Sequence, residues 1–276
     1  MRIRFVDLAG IRTRYYVAGE GEPVIFIHGG GAAADTWARN VEATGAVAHA
    51  FAPDLMGHGF TDAPDLAGQA PQKAQVDHLF RFIDMLGLRG CTLVGSAYGA
   101  LFGLLMYFQR PELVKRLVLV GSGSIFDTEE RQAEITSASV SNQMQALDDP
   151  TPAAIRRRNT GSNFNKGDTF EEIVLLQLTA LSLPGRKEAY RWMTGGIRAA
   201  ADRPEFQVAH RLEEIAVPTL VVSGCDDPRA DWRRVTEGAA RIPQAQLHIL
   251  DQCGHKPFSE QADRFNKLLA GFLTNG

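Results

Sequence analysis

The sequence predicts an α/β fold, a mostly parallel sheet flanked by helices and interrupted by a helical insertion. Three observations predict it. Short apolar runs alternate with helical patterns up to Gly121, the rhythm of parallel crossovers; the stretch 125–212 loses that strand rhythm; and the rhythm resumes at Thr219. In chain order, Met1 to Phe5 alternates like a strand. Arg12 to Val17 also alternates and is followed by the turn signal Gly19-Glu20-Gly21-Glu22-Pro23 and the apolar run Val24 to Ile27, which together predict an opening hairpin. Strand Val47 to Ala52, helix Ala74 to Leu86, strand Cys91 to Gly95, helix Tyr98 to Phe108 and strand Arg116 to Gly121 follow. The insertion reads as helices separated by Asp148-Asp149-Pro150-Thr151-Pro152 and Leu183-Pro184-Gly185. Strand Thr219 to Ser223, helix Asp231 to Ala240, strand Ala245 to Leu250 and an amphipathic helix Glu260 to Leu273 close the chain. Chain from both sides of the insertion therefore enters one sheet.

Composition narrows the function classes. The 276 residues carry 29 Lys+Arg against 32 Asp+Glu and are 45% hydrophobic, which suits one globular unit with a core and excludes a disordered or fibrous chain. A pI near 6.2 gives no broad electropositive surface, so neither nucleic acid nor an anionic membrane is expected as partner. No apolar run approaches the roughly 18–20 residues of a membrane-spanning helix. The N-terminus lacks the apolar core of a signal peptide, so a cytoplasmic address is expected. Cys91, Cys225 and Cys253 have neither disulfide-framework nor zinc-ligand spacing, and no metal or cofactor is expected. The basic run Arg156-Arg157-Arg158 reads as a solvated helix face.

Chemistry concentrates in three places. Thr92 to Ala100 carries an apolar strand through Gly95-Ser96-Ala97-Tyr98-Gly99 directly into a helix. Two glycines four apart around a strand-to-helix turn match the nucleophile elbow G-x-S-x-G, whose apex is strained and needs small neighbours, except that the apex here is Ala97. After strand Val24 to Ile27 comes His28-Gly29-Gly30-Gly31, a loop whose backbone N–H groups can approach a substrate oxygen and supply half of an oxyanion hole, the N–H of Tyr98 being the other half. It is not a phosphate loop, because Ala32-Ala33-Ala34 interrupts any G-x-G-x-x-G and no Walker Lys or Ser/Thr is present. The last two strands end in Gly224-Cys225-Asp226-Asp227 and Asp251-Gln252-Cys253-Gly254-His255, so parallel pairing carries a carboxylate and an imidazole to the same sheet edge as the elbow.

With these residues the chain resembles the α/β-hydrolase family, in the branch of meta-cleavage-product carbon-carbon hydrolases and related small-molecule esterases. The resemblance runs along essentially the whole chain, through His28-Gly29-Gly30-Gly31, Pro53-Asp54-Leu55-Met56-Gly57-His58-Gly59, the elbow, Gly224-Cys225-Asp226-Asp227, and Gly254-His255 followed by Glu260. It implies an α/β-hydrolase fold with an eight-stranded mostly parallel sheet, core residues 1–124 and 213–276, and a helical cap at 125–212 inserted after strand 6. It also implies a Ser-Asp-His triad with the nucleophile position at Ala97, the acid at Asp227, the base at His255, and oxyanion donors at Gly30 and Tyr98. His28 and His58 belong to loop signatures and are expected to be structural.

Alanine has no hydroxyl to attack a carbonyl, so covalent catalysis lacks its first step. Because Asp227, His255 and the glycine loop are retained, an engineered Ser→Ala change is the favoured account. The alternatives are a natural non-catalytic ligand binder and a cofactor-free lyase or oxygenase that uses His255 as base. The expected function is hydrolysis of a small, largely apolar ester, lactone or carbon-carbon bond beside a ketone. The branch's usual Asn before the nucleophile, Arg in the cap and Trp after the histidine are here Ser96, Gln177 and Lys256. Candidate substrate-binding residues are Gly31, Ser96, Phe126, Trp192 and Lys256, with Phe164, Leu176, Leu181 and Met193 as further candidate walls. A small molecule is the expected partner, and a homodimer is left open.

Overall fold

The computed structural model describes residues 1–65, 68–126, 141, 143–166, 170–199 and 203–274. Eight strands form one sheet: β1 (Arg2–Asp7), β2 (Arg12–Ala18), β3 (Pro23–Ile27), β4 (His49–Pro53), β5 (Cys91–Ser96), β6 (Val114–Val120), β7 (Thr219–Gly224) and β8 (Ala245–Leu250), in the order β1-β2-β4-β3-β5-β6-β7-β8. Pairings from β4 through β8 are parallel, while β2 is antiparallel to both β1 and β4. Alternation decides which residues face which layer. Ile25, Ile27, Leu93, Leu117 and Leu119 pack on one face with helices Pro71–Met85 and Tyr98–Gln109. Their neighbours Val24, Phe26, Val94, Val118 and Val120 pack on the other with helices Ala38–Thr44 and Ala262–Thr274. Near-continuous apolar strands are what a sheet covered on both faces requires.

The opening hairpin is a correction. It joins β1 to β2, turning at Ala9 and Gly10 with φ of 58° and 84°, and β3 is not paired with β2. Instead β3 lies between β4 and β5, both parallel to it. The run Val24 to Ile27 is wholly buried, and an unalternating strand of that kind belongs at a sheet centre rather than beside an edge. Between β6 and β7 the described chain is helical, including Pro152–Thr160, Glu171–Leu181 and Arg186–Ala199, as the loss of strand rhythm predicts. The sequence of that stretch gives no sign of how its helices lie across the rim of the sheet.

One buried ionic network fixes the loops above the strands. The Arg14 guanidinium donates from Nε and Nη2 to Asp54 at 2.7 and 2.9 Å and pairs through Nη1 with Asp35 at 2.9 Å. Asp35 also accepts the Tyr16 hydroxyl at 2.7 Å. Burial holds the Asp35 carboxyl above its ordinary range. Removing one partner of a buried, hydrogen-bonded ion pair leaves the other uncompensated. Arg14→Ala is therefore expected to lower unfolding free energy by about 3–5 kcal/mol, read as a shifted urea midpoint with an unchanged slope; a loss below about 1 kcal/mol would contradict that role.

Candidate active site

Ala97 occupies the turn between β5 and helix Tyr98–Gln109 with φ 50° and ψ −119°, a conformation that costs a residue with a Cβ on the order of 1–3 kcal/mol. Its N–H donates to the Val120 carbonyl at 3.1 Å and its carbonyl accepts the Ser124 hydroxyl at 3.1 Å, so both sides of the apex are tied down. The flanking glycines are required by close approach. A Cβ on Gly99 would overlap the carbonyl oxygens of Ile27 and His28, and one on Gly95 would overlap the backbone of Gly99 and Ala100. The glycine loop lies directly over the apex: a Cβ at Gly29 would stand 3.2 Å from that of Ala97, and one at Gly30 would meet the Tyr98 ring. His28 anchors the loop, with Nδ1–H donating to Gly29 O at 2.8 Å and Nε2 accepting the Leu55 N–H at 3.0 Å. Burial pushes this imidazole down to about 4, keeping it neutral.

His255 follows β8, and its Nδ1 lies 2.9 and 3.1 Å from the two oxygens of Asp227, which follows β7. A carboxylate only accepts, so Nδ1 carries the proton and Nε2 presents a lone pair. Asp227 also accepts the Arg229 N–H at 2.7 Å, and both side chains are buried. The imidazole packs against Gly121, the residue after the carbonyl that holds the N–H of Ala97, so the three positions share one rim. A second carboxylate holds the histidine loop. Glu260 accepts the N–H groups of Gly254 and Lys256, on either side of His255, at 3.0 and 2.9 Å, and that of Phe164 at 2.7 Å. The N–H of His255 itself donates to Ser162 O at 2.9 Å, which ties the histidine loop to the inserted segment.

Other candidates lie elsewhere. Gly31 and Leu181 line a cleft beside the glycine loop, and Lys256 lines a second depression with Asn159 and Gln177. Ser96 is a buried residue of β5. Phe126 packs against Gly238, and Trp192 donates its indole N–H to Gln69 O at 2.9 Å, so these two serve packing and the seam to residue 69. Met193 is a core residue, Phe164 is exposed, and Leu176 is half-buried. The basic run is a further correction. Arg156 pairs outward with Glu171, but Arg158 turns inward to donate to Gln177, because consecutive helical residues point about 100° apart and one of three neighbours falls on the inner face.

Reading by motif names Lys256 as a candidate, takes Arg158 for a solvated residue and misses Arg229. Burial lowers the hold of Arg158, Arg229 and Lys256 on their protons; Lys256, pushed down to about 7, also feels the repulsion of Arg229 and Arg158, and Arg158, pushed down to about 10, that of Arg229, whereas Asp227 acts on Arg229 in the opposite sense. Lys256 donates to Asn159 O. The clue in the sequence is the position of Arg229 two residues after Asp227 and of Lys256 next to His255; Arg158 meets Gln177 only through the fold. Among the described residues no group of three His, Cys, Asp or Glu is arranged to hold a metal, and no helix is long and apolar enough to cross a membrane.

A strained apex under a glycine loop, an Asp-His pair and an eight-stranded sheet define the architecture of α/β hydrolases. The chain matches the family description "alpha/beta hydrolase fold" over residues 22–262 and belongs to that family, whose named relatives are hydrolases. It is 29% identical over 284 residues to 2-hydroxymuconate semialdehyde hydrolase of Pseudomonas sp. (strain CF600), covering 98% of this chain and 93% of the relative. Among solved structures it is similar to a serine hydrolase involved in carbazole degradation (TM-score 0.81, 26% identity, 100% and 99% coverage). It is also similar to a serine-to-alanine mutant of the meta-cleavage product hydrolase of Pseudomonas fluorescens IP01 complexed with acetates (TM-score 0.80, 26% identity, 99% and 97% coverage).

The strain at Ala97 yields a stability test. Ala97→Gly is expected to raise unfolding free energy by about 1 kcal/mol, relief of the left-handed apex outweighing the added freedom of the unfolded chain; destabilisation in urea titrations would show that the apex is not strained.

Proposed function

We propose that this site hydrolyses a small carbonyl compound bearing a carboxylate, at an ester or at a carbon-carbon bond beside a ketone, when position 97 carries serine. The observation that carries the reading is the His255–Asp227 pair on the same rim as a strained apex, with Nδ1 of the imidazole turned to the carboxylate. In the serine form His255 takes the hydroxyl proton, the oxygen attacks the carbonyl, and the N–H groups of Gly30 and Tyr98 receive the oxyanion. His255 then activates water to release the acid. Asp227 holds the imidazole tautomer and stabilises its cation. Ala97 stands where a Ser→Ala change would leave a chain that binds its substrate and does not turn it over; loss of the serine costs on the order of a millionfold in turnover in a serine protease.

Arg158, Arg229 and Lys256 support the anionic character of the substrate. A carboxylate between them would meet charge that burial makes costly, and the acetates bound by the Pseudomonas fluorescens relative are the same chemistry. A second reading is favoured by Ala97 itself. A base paired with Asp227 and facing backbone donors abstracts a proton next to a carbonyl without any nucleophile, as a cofactor-free lyase or oxygenase would require.

Ala97→Ser is expected to raise turnover of activated aryl esters or of a 2-hydroxy-6-oxodienoate by at least about a thousandfold, and His255→Ala in that background to abolish the gain. Failure of the serine form on every acyl and dienoate substrate would remove the hydrolase reading. His255-dependent deuterium exchange beside the carbonyl of a keto acid, with Ala97 in place, would install the second.

The cations give a pH dependence of definite sign. Lys256 is protonated below about 7 and neutral above it, so affinity of the chain for 2-oxohexanoate is expected to fall as pH rises through about 7. Lys256→Met should flatten that profile and lower the affinity on its acidic side; an unchanged profile in the variant would exclude Lys256 from binding.

A further inference from the structure

A narrow cleft opens between the glycine loop and the inserted helices, with Gly31 and His58 on the core side and Arg158, Arg186 and Tyr190 on the other. Arg186 is 6% exposed, yet among the described residues its Nε and Nη1 have no hydrogen-bond partner, and Nη1 of Arg158 has none either. Among the described residues no carboxylate lines the cleft. Asp54 and Asp62 exert a field on Arg186. Asp54 is already saturated, since its oxygens accept Arg14 twice and the N–H groups of Ala34 and Phe60. Asp62 accepts the N–H of Arg12.

The position of Arg186 makes its solitude more costly. It is the first residue of helix Arg186–Ala199, fourteen residues long, and so sits at the positive end of the helix dipole, where a cation is disfavoured and an anion is welcome. His58 is 5% exposed and donates from Nδ1 to Met56 O at 3.0 Å, leaving an unpartnered Nε2 lone pair that suits a water or hydroxyl hydrogen beside an anion. An anion in the cleft would supply the hydrogen bonds that Arg186 lacks among the described residues.

We propose that this cleft is a second anion subsite, which takes a second carboxylate of the substrate through Arg186 and the start of its helix, with Arg158 on the shared wall. The substrate class is thus a dicarboxylate whose reacting carbonyl lies between the two acidic ends. The subsite rests on the reading of position 97 as the reacting centre only for the claim that the bound anion belongs to the substrate.

Calorimetric titration of the chain with 2-oxoadipate and 2-oxohexanoate, keto acids of equal length with two and one carboxylates, tests it. The dicarboxylate is expected to bind about tenfold more tightly at low salt. Arg186→Met should erase that preference while leaving 2-oxohexanoate affinity intact, Arg186→Lys should keep part of it, and Arg186→Met should melt at the parent's temperature or above. Equal affinities in the parent, equal weakening of both ligands, or loss of folding in both variants would overturn the subsite. If the Ala97→Ser enzyme turns over only monocarboxylates, the hydrolase reading stands and the subsite falls; a dicarboxylate preference without any turnover keeps the subsite and removes the hydrolase reading.

Discussion

The Asp54 carboxylate accepts four hydrogen bonds from three separate segments, and the upper rim of the sheet is built around them. Arg14 belongs to β2, Ala34 follows the glycine loop, and Phe60 closes the loop after β4. Gly59 leaves the room this carboxylate needs, since a Cβ there would overlap it. The same guanidinium reaches Asp35 and through it Tyr16, so one buried cation holds two acids and a phenol. Such a network is costly to bury and unforgiving to break, which makes it a device for one specific arrangement of loops more than a source of net stability.

On that frame the candidate site is a matter of direction and close approach. Parallel strands β5, β7 and β8 end at one edge, so Ala97, Asp227 and His255 arrive there from positions far apart in the chain. Packing at the elbow is set by atoms that cannot move: the carbonyls of Ile27 and His28 stand where side chains at Gly99 would go. The strained backbone at Ala97 persists without the hydroxyl it would serve in a hydrolase of this family, because helix, sheet and Ser124 together hold it. Glu260 performs the corresponding task for the histidine, clasping the peptide groups on both sides of His255 and one from the inserted segment. The inserted segment and the histidine loop are therefore anchored on one carboxylate.

Charge at the site is unbalanced. Asp35, Asp54 and Asp227 each have a committed partner, whereas Arg186, Arg229 and Lys256 feel Asp54 and Asp62, Asp227, and Glu260 through their fields, with no ion pair among the described residues. Burying cations away from direct carboxylate partners is costly to the fold. This arrangement separates the inner face of the inserted helices from their outer face, where Arg156 and Lys187 are paired with acids.

The sequence by itself determined the rhythm of the sheet's parallel portion and the elbow, because apolar periodicity and short motifs act over a few residues and need no knowledge of distant packing; the pairing of Asp227 with His255 was implied by the family resemblance. The sequence also carried the absence of a nucleophilic hydroxyl at Ala97, which is a matter of residue identity. The neighbours of β3 are not legible there, since pairing depends on which strand finds two partners and not on which lies next in the chain. The inward turn of Arg158, the removal of Phe126 and Trp192 to packing positions, and the solitude of Arg186 were decided only by tertiary structure. A helix has one inner face, and which residues occupy it depends on the surface against which the helix comes to rest.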